Sequence, residues 1–337
     1  MPEYERRGNV IVHTLLLGRR PEIDFTVFAG LGVTLFAVGL RPPDNPAKMT
    51  CNPRIIVLNG FRRGGTNIVW NILESHPQVC SPMRETGQIL YSEGLPWLPD
   101  LPAKLVLRAV LTQPFISRSP IGRHFDRLIQ RALFAHKMEN LTEADNRFKF
   151  DGVPYSAEEV ENSVLCVKSV NLDASLTPYF ARYYPHSTFI GLMRNGYAIC
   201  NGMMRRGETA KRAGQVYRRI GRRMIEDHRA FSRHMLLRFE DVLKDPFAVA
   251  TELFTFAGLD PTRLEKLRLK SKKVLTGDGQ HAPRFGEEDR KYWFDRSQIW
   301  QILDPGIDET QVQLLTRDDR RTFEKYAAPV LEYFGYA

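Results

Sequence analysis

The sequence predicts an α/β fold of three layers, with a mostly parallel central sheet flanked by helices. Two segments, 55–73 and 187–206, each pass from an apolar, strand-like run through a glycine-containing turn into a helical pattern. Strands that alternate with helices are typical of parallel sheets. With 337 residues, of which 43% are hydrophobic, the chain is long enough to bury the core of one large domain.

The first segment contains a loop suited to binding an oxyanion. A β-branched run at 55–58 enters this loop, and an apolar helical pattern follows at 68–73. Such a loop presents backbone N–H groups and a helix N-terminus to a phosphate. Two guanidinium groups add positive charge. The glycines and arginines of the loop are Gly60, Arg62, Arg63, Gly64 and Gly65.

The loop is P-loop-like but lacks the lysine of nucleotide triphosphatases. Their loop reads Gly-x-x-x-x-Gly-Lys-Ser/Thr. Gly60 and Gly65 have the required spacing, but Thr66 stands in the lysine position. No carboxylate suited to magnesium follows a later apolar strand. The pattern therefore favours an oxyanion other than a magnesium triphosphate, and an ordinary tight turn between strand and helix is the alternative.

The second segment predicts another anion-binding strand end. The apolar run at 187–193 ends at Arg194, and a helical pattern follows at 196–206. In an open α/β sheet, ligands bind at the carboxyl ends of strands. Two strand ends of this kind indicate a ligand with two separate phosphate-like groups.

Further helices are predicted along the rest of the chain. Basic helical patterns occupy 104–111 and 121–137, and the second has one apolar face. A long basic helix is predicted at 208–231. The Asp-Pro pair at 245–246 predicts an N-cap and first residue of a helix that runs to Gly258.

These motifs resemble those of the sulfotransferases that use 3′-phosphoadenosine 5′-phosphosulfate (PAPS). The loop at 60–66 resembles their 5′-phosphosulfate loop, and 192–202 resembles their 3′-phosphate segment. The resemblance extends from residue 54 to the C-terminus. Further segments that resemble the family are 168–169, 237–246, 292–293 and 334–336, of which the first and the last two resemble its carbohydrate branch.

The resemblance implies a P-loop-like sulfotransferase that moves a sulfuryl group from PAPS to an acceptor hydroxyl, without a metal. A carbohydrate is the first expectation for the acceptor, while lipids and small alcohols remain open. The implied catalytic residues are Arg63, Glu85 and Lys168. The implied donor-binding residues are Arg62, Arg63, Gly64, Gly65, Thr66, Asn67, Arg194, Asn201 and Gly202.

Two of these roles depend on the type of side chain. Arg63 stands where cytosolic members carry lysine, so we expect it to stabilise charge without donating a proton. Heparan-type members carry their catalytic glutamate after a His-Pro helix stop. Glu85 lies at a matching distance along the chain from Arg63. Glu85 is therefore the expected base, and a surface ion pair with Arg84 or Arg62 is the alternative.

The chain departs from the family at the 3′-phosphate segment. The serine that contacts this phosphate is Gly202 here, and a glycine offers only its backbone N–H. Asn201 is one expected substitute. Arg205 and Arg206 are another, although paired arginines are usually a solvated helix face.

The net charge of +9 favours anionic partners such as a nucleotide donor, a polyanionic acceptor or an acidic membrane surface. No zinc-ligand spacing, RNA-binding motif or repeat points to nucleic acid. The cysteines Cys51, Cys80, Cys166 and Cys200 are scattered and predict neither a disulfide framework nor a metal site, and Cys166 lies in an apolar strand pattern. The sequence does not indicate an oligomeric state.

We divide the chain into an N-terminal extension, 1–48, and a sulfotransferase-like domain, 49–337. The extension contains an uncharged apolar run at 25–40, shorter than the ~20 residues of a spanning helix. It is either a membrane anchor of type II orientation, a packed hairpin or an inconsequential extension preceding an alternative start at Met49. The chain is accordingly expected in the cytoplasm or at a membrane. A helical insertion at 94–150 is expected to contact the acceptor or to form a plain cap.

Two other functions remain open from the sequence. A nucleotide-dependent kinase with a degenerate loop would bind ATP with magnesium. A catalytically silent basic scaffold on glycans or membranes would not bind the donor, which the Gly202 departure makes conceivable.

Overall fold

A computed structural model describes residues 54–94, 111–113, 119–275 and 281–337. The apolar run at 25–40, Met49, Cys51 and most of the helix predicted at 104–111 lie outside the described residues. Within the described part, no helix combines the length and hydrophobicity needed to cross a membrane.

The central sheet has five strands, and every pairing in it is parallel. The strands are β1 (Ile55–Gly60), β2 (Val79–Cys80), β3 (Phe148–Phe150), β4 (Val153–Pro154), β5 (Val164–Val170), β6 (Thr188–Met193), β7 (His234–Arg238), β8 (Leu267–Lys270), β9 (Lys273–Leu275), β10 (His281–Pro283) and β11 (Lys291–Phe294). The order in the central sheet is β2-β5-β1-β6-β7. Small antiparallel pairs join β3 to β4, β8 to β11 and β9 to β10.

Helices cover both faces of the sheet, which confirms the predicted three layers. They are α1 (Thr66–Glu74), α2 (Thr86–Gly94), α3 (Pro120–Met138), α4 (Ala157–Asn162), α5 (Thr177–Tyr183), α6 (Gly196–Met204), α7 (Ala210–Ala230), α8 (Phe239–Lys244), α9 (Pro246–Phe256), α10 (Ile307–Gln313) and α11 (Arg317–Phe334). Alternate β1 residues pack on opposite layers, Ile56 with α1 and α9 and Val57 with α2, α3 and α5. Helices α7 and α11 form a third cluster around Tyr217 and Phe323.

The predicted strand at 55–58 extends to Gly60. Asn59 and Gly60 still pair with β5 and β6. The Asn59 side-chain amide also donates to Thr177 Oγ1 at 2.9 Å, which satisfies a polar group inside the core. The apolar run alone predicted too short a strand, because the last two residues of β1 are polar or small.

Capping residues set the helix ends close to the predicted positions. The helix predicted at 208–231 begins after Thr209, whose side chain accepts from Arg212 N. The helix predicted from the Asp-Pro pair has Asp245 as its N-cap and is followed by Gly258 with a φ of 66°. The pattern at 121–137 is confirmed as Pro120–Met138.

A buried carboxyl on α3 gives a prediction of pH dependence. Asp126 accepts from Tyr179 Oη and Gln130 Nε2, both at 2.7 Å, and burial raises its pKa to about 6. Because the folded pKa exceeds the unfolded value, its contribution to stability is full below about pH 4 and is lost as the pH rises to about 6. Asp126→Asn should abolish this dependence.

Urea unfolding of both proteins at several pH values would measure the effect. The free energy of unfolding of the original chain should fall relative to Asp126→Asn by about 2 to 3 kcal/mol between pH 4 and 6. A difference that stays constant across this range would show that Asp126 does not titrate differently on folding.

Candidate functional site

The carboxyl ends of three neighbouring strands form the candidate site. Gly60 at the end of β1 is in register with Val170 of β5 and Leu192 of β6. The loop after β1 therefore lies between the turn after β5 and the N-terminus of α6. The two strand ends singled out in the sequence, those of β1 and β6, are therefore neighbours in the sheet.

The loop after β1 is a tight turn that leads directly into α1. Gly64 N donates to Phe61 O at 3.0 Å. Arg63 and Gly65 have positive φ values of 66° and 84°. Helix α1 then begins at Thr66. Ile68 N donates to Gly65 O at 2.9 Å, whereas the N–H groups of Thr66 and Asn67 lack intrahelical acceptors by helix geometry. The loop thus has the conformation of an oxyanion cradle.

The other loop residues hold this conformation. Gly64 and Thr66 are buried. The Thr66 methyl group lies so close to Gly60 that a side chain on Gly60 would collide with it. The backbone N–H of Arg62 donates to Asn171 Oδ1 at 3.0 Å, which ties the loop to the turn after β5. The Arg62 side chain is exposed.

Gly65 has both a backbone and a packing requirement. A Cβ at this position would lie 2.8 Å from Phe239 Cζ and closer still to two other carbons of that ring. Gly65→Ala is therefore expected to cost several kcal/mol in the free energy of unfolding, because it combines left-handed strain with a collision. Urea unfolding would measure the loss.

Gly152→Ala is the matched control for this variant. Gly152 has a φ of 78°, and a Cβ added to it would have no heavy atom within 4 Å. The substitution should cost only about 1–2 kcal/mol, which is the strain of the left-handed conformation. Equal losses in the two variants would contradict a packing role for Phe239.

Arg63 is the centre of a cluster of guanidinium groups. Its exposed side chain forms no ion pair with any described carboxylate. Partial desolvation of the guanidinium beside α6 lowers its pKa, and the nearby charges of Arg206, Arg205 and Arg194 lower it further. A Cβ on Gly202 would lie 3.0 Å from Arg63 Cβ, so the glycine at this position lets Arg63 approach α6. Arg194 is paired with Asp308, but Arg63, Arg205 and Arg206 have no ion-pair partner among the described residues. Converging cations of this kind indicate an anion site.

Glu85, Lys168 and Asn67 come together beside this loop. Lys168 Nζ lies 3.1 Å from Glu85 Oε1 and donates to Asn67 Oδ1. It also lies 4.2 Å above the centre of the Trp70 ring. The Lys168 side chain is 4% exposed and that of Glu85 is 29% exposed, so the carboxylate is accessible from solvent while the ammonium is not.

The Lys168 ammonium is buried rather than solvated. Burial lowers its pKa, and the Glu85 carboxylate opposes that shift. The pair thus keeps a cation beside an accessible carboxylate at the strand ends.

The alternative prediction for Glu85, a surface ion pair with an arginine, is wrong. Its described ion pair is with Lys168 rather than with Arg84 or Arg62. Its carbonyl oxygen accepts from Gln88 N at 2.9 Å, which places it immediately before α2. Glu85 therefore lies at the start of a helix, and its carboxylate is held by Lys168.

Arg194 is already engaged within the protein. Its Nε donates to Asp308 Oδ1 at 2.8 Å, and its Nη2 donates to Asp308 and Gln311. Its Nη1 donates to Arg63 O at 2.6 Å, so the residue also supports the left-handed turn of the loop. Four of its five N–H groups are thus used within the protein, so a phosphate at this guanidinium must compete with the Asp308 carboxylate.

Asn201 and Gly202 lie on α6 facing the same region. Both are buried, and Asn201 Oδ1 has no hydrogen-bond partner among the described residues. A buried amide oxygen without a partner is consistent with a site that a hydrogen-bond donor of a ligand completes. Arg205 and Arg206 follow at the end of this helix and are exposed.

Three residues of the site were not predicted from the sequence: Trp70, Asn171 and Asp308. Trp70 lies three residues after Asn67, on the same helix face, and this spacing is a signal that could have identified it. Asn171 and Asp308 reach the site from distant segments with no local motif. In the described part of the chain, no group of three or more His, Cys, Asp or Glu side chains is arranged to hold a metal. Cys166 is buried in β5, as predicted.

A model of the Sulfotransferase family matches residues 53–263. No curated protein sequence matches the chain significantly. Among solved structures, the chain is similar to the sulfotransferase domain from the Synechococcus PCC 7002 olefin synthase, with 17% identity over 85% of this chain and 98% of that one, and a TM-score of 0.46.

Two further solved structures are similar at the same level. For the sulfotransferase domain from the curacin biosynthetic pathway, identity is 14% over 86% of this chain and 99% of that one, with a TM-score of 0.44. For a sulfotransferase from Alicyclobacillus acidocaldarius, identity is 13% over 84% of this chain and 94% of that one, with a TM-score of 0.43.

Proposed function

Because the chain belongs to the sulfotransferase family, we propose that it transfers a sulfuryl group from PAPS to a hydroxyl group of a carbohydrate. One observation carries this proposal: an arginine-rich oxyanion loop lies beside an accessible carboxylate paired with a buried lysine. The loop supplies charge for an anionic donor, and the carboxylate supplies a base for an acceptor.

In this proposal the two strand ends bind the two ends of the donor. The 5′-phosphosulfate is assigned to the first loop, and the 3′-phosphate to the region of α6. The residues assigned to the first are Arg62, Arg63, Gly64, Gly65, Thr66 and Asn67. Those assigned to the second are Arg194, Asn201 and Gly202, with Arg205 and Arg206 as additional cations.

The transfer step uses Glu85 as base and cations as charge stabilisers. The acceptor oxygen forms a bond to sulfur while the bond between sulfur and the bridging oxygen breaks. The electron pair of that bond stays on the phosphate, which leaves as adenosine 3′,5′-bisphosphate, and the acceptor proton passes to Glu85. Arg63 and Lys168 stabilise the charge that develops on the bridging oxygen.

Asp308→Asn tests the assignment of Arg194 to the 3′-phosphate. A phosphate must compete with the Asp308 carboxylate for the guanidinium, and a neutral amide competes less strongly. We expect affinity for adenosine 3′,5′-bisphosphate to rise by about tenfold in calorimetric titrations.

Glu309→Gln is the matched control, since Glu309 is the next residue on α10 and is exposed. It removes the same charge without touching Arg194. Equal gains in nucleotide affinity in both variants would show that the effect comes from long-range charge rather than from Arg194. An unchanged affinity in Asp308→Asn would remove Arg194 from the 3′-phosphate site.

Calorimetric titration with adenosine 3′,5′-bisphosphate, beside ATP with magnesium, tests the function itself. The original chain should bind the bisphosphate, and Arg63→Ala should lose that binding. Preference for ATP with magnesium would favour a kinase, and failure to bind either nucleotide would favour a silent scaffold.

A further inference from the structure

A basic groove opens beside the candidate site. It has a volume of about 570 Å³ and lies between α7, the 3₁₀ helix Asn171–Leu176 and Tyr326 of α11. This volume falls in the range of small-molecule sites. Four arginines of α7 line it: Arg218, Arg219, Arg222 and Arg223.

The charges of these arginines are only partly balanced within the protein. Arg222 Nη2 lies 3.8 Å from Glu226 Oε1 in an exposed ion pair, and Arg223 Nε lies 2.9 Å from Asp227 Oδ1. Arg218 and Arg219 are exposed and have no ion-pair partner among the described residues. Arginines four residues apart on a helix repel each other, so an anion bound beside Arg218 and Arg219 would reduce their repulsion with Arg222 and Arg223.

The groove is connected to the candidate site through one residue. Asn171 lines the groove and accepts the hydrogen bond from Arg62 N at 3.0 Å. It lies three residues beyond Lys168, so the groove begins roughly 10 Å along the chain from the Lys168–Glu85 pair. A ligand of several linked units could occupy the groove and still reach Glu85.

We propose that this groove binds carboxylate or sulfate groups of an anionic carbohydrate chain, and so orients the sugar that accepts the sulfuryl group. The proposal rests on the proposed function and narrows its acceptor to an anionic saccharide. Guanidinium groups bind carboxylates and sulfates through paired hydrogen bonds. Tyr326 is the one aromatic residue lining the groove in the described part of the chain, whereas sites for single-stranded nucleic acid offer several stacking aromatics.

Direct binding of defined oligosaccharides tests the proposal. The probes are an oligosaccharide of alternating glucuronic acid and N-acetylhexosamine, and a neutral N-acetylglucosamine oligomer of the same length. The original chain should bind the first and not the second. Arg218→Glu with Arg219→Glu should weaken this binding by about tenfold or more, since it removes two cations and adds two repelling charges.

The control carries the same change in net charge on another helix. Arg317→Glu with Arg321→Glu alters two exposed residues of α11 that do not line the groove. It should leave binding unchanged. Thermal unfolding checks that both double variants fold. A double variant that does not fold is replaced by the corresponding pair of Arg→Gln substitutions. Of these Gln variants, only the one in the groove should weaken binding.

Three results would overturn the proposal: equal weakening by both double variants, equal binding of the neutral oligomer, or groove-dependent binding that is tighter for single-stranded DNA or anionic lipid vesicles.

Titration of the same proteins with adenosine 3′,5′-bisphosphate separates failure of this proposal from failure of the proposed function. Both double variants should retain that affinity. If the original chain does not bind the bisphosphate, the donor assignment is rejected, whatever the groove binds.

Discussion

Glu85→Gln is expected to lower the turnover number by about 10²- to 10⁴-fold while leaving the affinity for adenosine 3′,5′-bisphosphate unchanged. Glutamine keeps the size of the side chain and an oxygen that can accept from Lys168, which lies 3.1 Å from Glu85 Oε1. It cannot take a proton from an acceptor hydroxyl. Steady-state transfer assays and calorimetry on the same preparation would measure the two quantities.

Glu85→Asp is the comparison that separates the base from its position. It retains a carboxylate but draws it back by one methylene group, so we expect activity between that of the original chain and Glu85→Gln. Turnover of Glu85→Gln equal to that of the original chain would remove Glu85 from the mechanism. A parallel loss of nucleotide affinity would instead assign it a structural role through Lys168.

Arg63→Ala is expected to lower kcat/KM for the donor by about 10²- to 10³-fold, or more. The side chain lies in a cluster with Arg194, Arg205 and Arg206 and has no described carboxylate partner, so its charge is available to the phosphosulfate. The backbone at this position has a φ of 66°. Alanine and arginine share that strain, so the substitution changes the charge rather than the cost of the turn.

Two variants of the same loop act as controls for Arg63→Ala. Arg63→Lys keeps a charge but loses the planar fork, so it should retain part of the activity. Arg62→Ala removes an exposed guanidinium while its backbone N–H can still donate to Asn171, so we expect a smaller loss. Equal losses in Arg62→Ala and Arg63→Ala would show that only the total charge of the loop matters.

The parts of the fold that follow local rules could be predicted from the sequence. The strand at β1, its glycine loop and α1 depend on residues that are adjacent in the chain. The same holds for α9, where Asp245 accepts from the N–H groups of Phe247 and Ala248. Local patterns did not show that Phe239 packs against Gly65, because that contact joins two strand ends through the sheet.

The site could be predicted as a set of residues but not as a set of contacts. The motifs identified Glu85 and Lys168 separately, and only the pairing of β2 with β5 explains why they meet. The engagement of Arg194 by Asp308 had no sequence signal, because α10 returns to the site from a distant part of the chain. Such contacts depend on how the layers pack, which residue spacing does not report.

Transfer of sulfur-35 from labelled PAPS tests the central claim most directly. The original chain would be incubated in EDTA with a mixture of anionic and neutral polysaccharides. Labelled polysaccharide and adenosine 3′,5′-bisphosphate should appear in equal amounts, and Arg63→Ala should strongly reduce both. Donor that remains intact with every hydroxyl acceptor, together with no measurable binding of the bisphosphate, would contradict the assignment of the loop to a phosphosulfate.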